Sequence, residues 1–278
     1  MNNLANDIKL AEEKWNPSIY AFLHSLYRDV HLPSHDVSHH ERVWGYAKEL
    51  LTHTYTMASA SCPFVEQALV ASMFHDTGLT VDHGERHGNF SKALCEHFLS
   101  KYPHLTLPSA EDTLYAIEHH DDKSLKQSVG FGPGTSLPLV DLVSSADDLD
   151  AFGLVGVFRY LEIYALREIP VEKIPCKVIP NLSNRFENFS RKFSAFPHLI
   201  ERHRSRFLET KRFFEEANNQ LAHDTMLGAE AFKVANNLVD VLVNKKLDIK
   251  SAIVMGIMSG LSAGQVGFYM GLKEELGL

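Results

Sequence analysis

The sequence is short of cysteine. Its three, Cys62, Cys95 and Cys176, are an odd number without metal-type spacing. That argues against a disulfide framework, and they read as reduced thiols of a cytoplasmic protein. Positive charge is also short, with 27 Lys and Arg against 35 Asp and Glu. The resulting net charge of −8 argues against broad nucleic-acid binding. An apolar leader is missing as well. Met1 to Trp15 is polar and carries acids, so no secretory signal is expected. Charge of either sign is absent from Ser251 to Leu272, and a membrane span has to be weighed there. Five glycines, several serines and Gln265 dilute the apolarity, and Ser262 with Gln265 makes a capping-box pattern just after Gly260. The tail therefore reads as a helical hairpin outside any membrane, packed on the core or on a second copy of the chain. Internal repeats, low-complexity tracts and strand-rich stretches are not evident.

What the chain has is the balance of a globular protein, 45% hydrophobic and 22% charged. Its 278 residues suffice for one large domain or a core with an appended subdomain. Histidine stands out at 16. His31, His35, His39 and His40 cluster, as do His75, His83 and His87, and then His119 and His120. Acids among them favour metal binding over surface accident or pH sensing.

Helical spacing dominates the rest. Trp15, Ile19, Phe22, Leu23 and Leu26 predict a helix from about 4 to 32, stopped by Pro33. Ser38 and Glu41 form a capping-box pattern for a second helix, with His39, Val43, Ala47 and Leu50 on one face. A third starts near Pro63 and runs through Val65, Leu69 and Met73 to His75-Asp76, with Gly78 as its cap. A fourth follows from about Asn89, and a fifth from Ser109 to His119-His120. Residues 129–138, rich in Gly, Pro and Ser, read as a loop. Pro138 opens a helix whose stripe is Leu139, Val143, Ala146/Asp147 and Asp150. Another runs from Gly153 to Arg167. Prolines 170, 175 and 180 predict an extended connection, and Asn181 to Gln220 one long amphipathic helix or a bent pair. The expectation is all-α, with a core over 1–168 and a helical extension over 169–278.

Two carboxylates sit where carboxylates are costly. Asp76 and Asp147 both fall on apolar helix faces, and a buried carboxylate needs a cation or a dense hydrogen-bond shell. His39 lies on a core-facing stripe, and His75 adjoins Asp76. Two imidazoles and two carboxylates make an N/O ligand set without thiolate. It suits Mn, Fe, Ni or Zn, with Mg also admissible, and does not select among them.

The order His…His-Asp…Asp resembles that of the HD-domain superfamily of metal-dependent phosphohydrolases. The surroundings match too. His35-Asp36-Val37-Ser38-His39-His40-Glu41-Arg42-Val43 resembles the family's first motif. Ala71-Ser72-Met73-Phe74-His75-Asp76-Thr77-Gly78 resembles the second. Ser144-Ser145-Ala146-Asp147-Asp148-Leu149-Asp150 resembles the last. These span roughly residues 30 to 155. The resemblance implies a helical bundle in which His39, His75, Asp76 and Asp147 bind one metal. It also implies hydrolysis of a phosphoester or phosphoanhydride in a small phosphorylated molecule, a nucleotide or cyclic nucleotide. A bound metal would polarise the phosphoryl oxygen and lower the pKa of water.

Some branches of that family add histidines for a second ion. His87, His119 and His120 resemble those ligands, with Asp76 bridging. The alternative is that these three bind phosphate or act as acids. His35 and His83, four residues before His39 and His87, read as surface histidines. The chain lacks the Gly-Tyr-Pro signature of the cyclic-di-GMP branch. It also lacks the acidic pair that alarmone hydrolases carry after the His-Asp motif, having Thr77-Gly78-Leu79-Thr80 there. Asp121, His119 and Asp150 are the candidate general acids. Arg42, Arg86 and Lys123 are candidates for holding phosphate, with exposed ion pairing as the alternative. The rival class is a sensor that binds metal and nucleotide without turnover.

Overall fold

The computed structural model describes residues 4–54, 62–84, 86–122, 130–132, 137–222, 230–259 and 262–278. Among them all regular structure is helical, with twelve α-helices, two 3-10 turns and one π turn. The expected all-α class is observed. The chain divides into two compact units, Met1–Asp150 with Asn188–Ile200, and Ala151–Glu187 with Glu201–Leu278.

The first unit holds α1 (Leu4–Leu26), α2 (Val37–Thr54), α3 (Cys62–Phe74), α4 (His87–Lys101), α5 (Ala110–His119) and α6 (Leu139–Asp150). α1 is amphipathic, burying Ala11, Trp15, Ile19, Phe22 and Leu23 on one stripe. α3 differs. Val65, Ala68, Leu69, Val70, Ala71, Met73 and Phe74 are all buried, which covers its whole circumference. A helix apolar all round belongs at the centre, and α3 packs on α1, α2, α5 and α6. α6 is nearly as enclosed, with every residue from Asp141 to Asp150 buried. It packs on α2, α3 and α5. Phe22, Phe74 and Phe98 meet in pairs at 4.9–5.7 Å between ring centres, closing the core beside the end of α3. The 188–200 segment is fastened to α6 by a buried ion pair, Lys192 Nζ to Asp141 at 2.5 Å.

The second unit holds α7 (Gly153–Leu166), α10 (Glu230–Val239), α11 (Ile249–Met258) and α12 (Ala263–Glu275). It also takes the larger parts of α8 (Ile174–Lys192) and α9 (Pro197–Ala222). α7 packs on α10 and α12, and α11 on α12. The Glu275 carboxylate accepts from the Leu154 and Val155 N–H groups at the start of α7 and pairs with Arg206 at 2.7 Å. An acid there satisfies orphan donors and opposes the helix dipole. Gly153 has φ of +80°, which favours glycine, and its missing Cβ leaves room for the Glu275 carboxylate.

Local expectations fare unevenly. The tail is the expected hairpin, with Ser262 accepting from the Gln265 N–H to start α12. No helix among the described residues is long and apolar enough to cross a membrane. α1 stops at Leu26, short of residue 32. α2 is capped by Asp36, whose Oδ1 takes both the Ser38 N–H and hydroxyl, so Ser38 is not the cap. Ser109 adopts φ 47° and makes no side-chain cap. The stretch from 181 to 220 is a bent pair, parted between Lys192 and Pro197. The extended connection through prolines 170, 175 and 180 is overturned. Pro175 sits in the first turn of α8, where its missing N–H costs nothing, and Pro180 is accommodated inside the helix. Half of the expected 129–138 loop lies outside the described residues, and 130–132 and 137–138 carry no regular structure, as expected of a loop.

Candidate metal centre

Three elements bring polar side chains to one point in the first unit. His39 lies in the first turn of α2, facing inward and fully buried. His75 and Asp76 directly follow α3, and Asp147 comes from α6. One atom of each lies within 4.8 Å of every other. The closest approach is His39 Nε2 to His75 Nε2, 3.1 Å. Asp76 Oδ2 is 3.3 Å from His39 Nε2 and 3.5 Å from His75 Nε2. Asp147 Oδ1 is 3.8 and 3.7 Å from the same two nitrogens.

The other ring nitrogens fix the tautomers. His39 Nδ1 donates to Asp150 Oδ2 at 2.8 Å, and His75 Nδ1 to the Ser72 carbonyl at 2.8 Å. Both Nδ1 atoms therefore carry the hydrogen, and both Nε2 atoms of the neutral rings are acceptors. Two acceptor nitrogens 3.1 Å apart, flanked by two carboxylates, repel unless a proton or a cation lies among them. The donor set fits a divalent ion.

A second group shares Asp76. Its Oδ1 lies 3.0 Å from His120 Nε2 and 3.4 Å from His87 Nε2. His87 Nδ1 donates to the Gly84 carbonyl at 2.7 Å and His120 Nδ1 to the Ile117 carbonyl at 2.8 Å. So all four imidazoles present Nε2, and the two oxygens of Asp76 divide between two groups. Asp76, His87 and His120 also lie within 4.8 Å of one another. These buried His/Asp groups could hold one ion or two.

The electrostatics follow. Burial alone would raise the Asp76 carboxyl, but His75, His120, His39 and His87 around it hold its pKa well below the ordinary value. Burial opposes charge on His75, yet Asp76 and Asp147 outweigh it and raise its pKa. His87 is likewise penalised by burial and carried up to about 9, chiefly by Asp76. His40 goes the other way. Burial, then His39 and His75, push it well below the usual imidazole range. Its Nε2 meets the Tyr27 hydroxyl at 2.8 Å. Burial, then Asp76 and Asp36, hold that phenol well above its ordinary pKa.

The remaining expected residues are placed as follows. Asp150 is wholly buried and committed on both oxygens. Arg42 grips it with Nε at 2.8 Å and Nη2 at 3.0 Å, while His39 takes Oδ2. It stands behind the His39 ring. Arg42 spends its third nitrogen, Nη1, on the Ser38 hydroxyl, 3.0 Å away, so all three of its nitrogens have partners within the protein. Arg86 is exposed, over Phe90 and 3.7 Å from Asp82. His119 does not join His120. It is about one-third exposed, lies against Tyr115 and faces Glu118 and Asp122 at 3.8 Å. Asp121 is half-buried and close enough to His87 to raise its pKa. Lys123 lies outside the described residues. His83 is half-buried. His35, expected at the surface, is buried and packs edge-on against His39 at 5.2 Å.

The sequence reading missed His40, Tyr27 and the Asp150–Arg42 support. The last was legible in spacing. Arg42 follows His39 by three residues on α2 and Asp150 follows Asp147 by three on α6, so ligands and supports face each other as two matched rows.

Comparison of the chain with family models, with curated proteins and with solved structures returned no match.

Proposed function

We propose that this chain is a metal-dependent phosphohydrolase of the HD-domain type, acting on a phosphoester or phosphoanhydride of a nucleotide or cyclic nucleotide. The observation that carries the reading is Asp76, one buried carboxylate offering each oxygen to a separate histidine group. Its neighbours in sequence, and Asp147 with Asp150, stand in the order of that family's motifs.

His39, His75, Asp76 and Asp147 would hold the first ion, and Asp76, His87 and His120 the second. Bound divalent metal supplies a Lewis acid for the phosphoryl oxygen and a nucleophile from water near neutral pH. The protein's own part is orientation. Asp150 fixes the His39 ring, and three backbone carbonyls fix His75, His87 and His120. Phe74, next to His75 in sequence, is fully buried and packs against buried Phe98 at 4.9 Å. Asp121, half-buried and near enough to His87 to favour its charge, is the candidate to hand a proton to the leaving oxygen.

A sensor without turnover is the second reading, favoured by one feature. Thr77–Thr80 forms a 3-10 turn with Thr77, Gly78 and Leu79 buried, so no carboxylate projects just after Asp76. The test is turnover. Purified protein loaded with Mn or Fe is expected to hydrolyse members of a broad panel of phosphoesters, nucleotides and cyclic nucleotides. Tight nucleotide binding with no hydrolysis anywhere in the panel would replace the enzyme with the sensor.

A further inference from the structure

The four imidazoles are not held alike. His75 and His120 each follow a helix directly, α3 ending at Phe74 and α5 at His119. The last carbonyls of a helix lack internal partners. Each ring donates Nδ1–H to such a carbonyl three residues back, Ser72 and Ile117. His39 leans on the Asp150 carboxylate, itself gripped by Arg42. All three supports are built into helices.

His87 opens α4, so no completed helix stands behind it. Its Nδ1 donates to the Gly84 carbonyl, in the connection between the 3-10 turn and α4. That carbonyl also accepts the His87 N–H at 3.4 Å, and the other side of Gly84 is held by one side chain. Asp82 Oδ1 accepts the Gly84 N–H at 3.0 Å. Asp82 thus holds the turn at Gly84, whose carbonyl takes the His87 ring, and His87 Nε2 faces Asp76. Arg86 stands 3.7 Å from the second Asp82 oxygen, an exposed pair worth little by itself.

We infer that Asp82 is a positioning residue for the Asp76–His87–His120 group, setting the affinity of the second ion without touching it. The inference rests on the two-ion reading above. The first ion, held by His39, His75, Asp76 and Asp147, depends on helix-borne supports and is indifferent to Asp82. The two ions therefore separate in affinity through one turn.

The test is metal binding, read without activity. Wild type, Asp82→Ala and Asp82→Asn are stripped with chelator and titrated with Mn²⁺, counting ions per chain and both dissociation constants. Asparagine keeps the Oδ1 acceptor for the Gly84 N–H and loses only the charge. Wild type is expected to take two ions. Asp82→Ala is expected to lose about 10–100-fold in affinity for the weaker ion alone, the usual cost of removing a ligand's support. Asp82→Asn is expected to restore it to within a few-fold. Two ions at wild-type affinities in Asp82→Ala, or equal weakening of both, would overturn the role of Asp82. So would failure of Asp82→Asn to restore binding. Wild type that takes no ion overturns the metal reading itself, and one ion only overturns the second group and this role with it.

Discussion

Asp76 concentrates the chemistry of the site in one residue. It touches His39, His75, His87 and His120 within 3.5 Å, and its removal strips both groups of their shared oxygen donor. Asp76→Ala is expected to purify with metal at background by elemental analysis, and with its helical circular dichroism intact. Unchanged metal content would refute the ligand assignment. Asp150 poses a finer question, because by spacing alone it is a candidate acid. Its oxygens are spent on Arg42 and His39, which makes it a support. Asp150→Asn should weaken the first ion about 10–100-fold in a chelator competition. An acid would behave otherwise, with kcat falling while metal affinity stayed put. The buried group of His39, His75, Asp76 and Asp147 was legible because an apolar stripe tolerates a carboxylate only where a cation or dense hydrogen bonding compensates its charge. His40 and Tyr27 were not, since a histidine beside a ligand and a tyrosine past a helix end follow no period. His35 was misread for a similar reason. It precedes α2, where helical spacing carries no information about burial.

Elements explain why these histidines and aspartates converge. α3 and α6 are buried nearly all round, and the polar side chains at their ends, His75, Asp76, Asp147 and Asp150, are buried with them. A ligand set at the end of a central helix inherits that rigidity. The sequence showed both helices by their apolar runs, and the C-terminal hairpin by its cap. It failed at α8, where three prolines pointed to extended chain. The spacing of Ile174, Val178, Leu182 and Phe186 decides the matter. Burying four such side chains stabilises by roughly 6–12 kcal/mol, against about 3 kcal/mol for one interior proline. Packing wins, and Pro180 remains as a tolerated defect on an exposed face. Pro180→Ala should therefore raise the thermal midpoint, by an amount reflecting about 1–3 kcal/mol. A lower midpoint would mean that the proline is required in α8, against the packing argument.

At the scale of the whole molecule, protons and metal compete for one cluster. Folding without metal leaves His75 and His87 near two carboxylates, and both pKa values rise, that of His87 to about 9. A raised folded pKa contributes stability that is complete below the ordinary imidazole value of about 6.5. That contribution is lost as pH climbs through the folded value, so the metal-free chain weakens between about pH 6.5 and 9. Metal binding runs in the opposite sense. An ion needs the Nε2 lone pair that the proton occupies, so apparent affinity increases over the same window. The gap in thermal midpoint between Mn-loaded and chelator-treated protein should accordingly widen from about pH 6.5 to about 8.5, measured under nitrogen at constant ionic strength. In Asp76→Ala the gap should vanish at every pH, because that variant loses both the groups that bind metal and the carboxylate that raises the histidines. A gap that narrows with pH in the wild type would mean that the ion binds away from His75 and His87, and the site would have to be sought among other side chains.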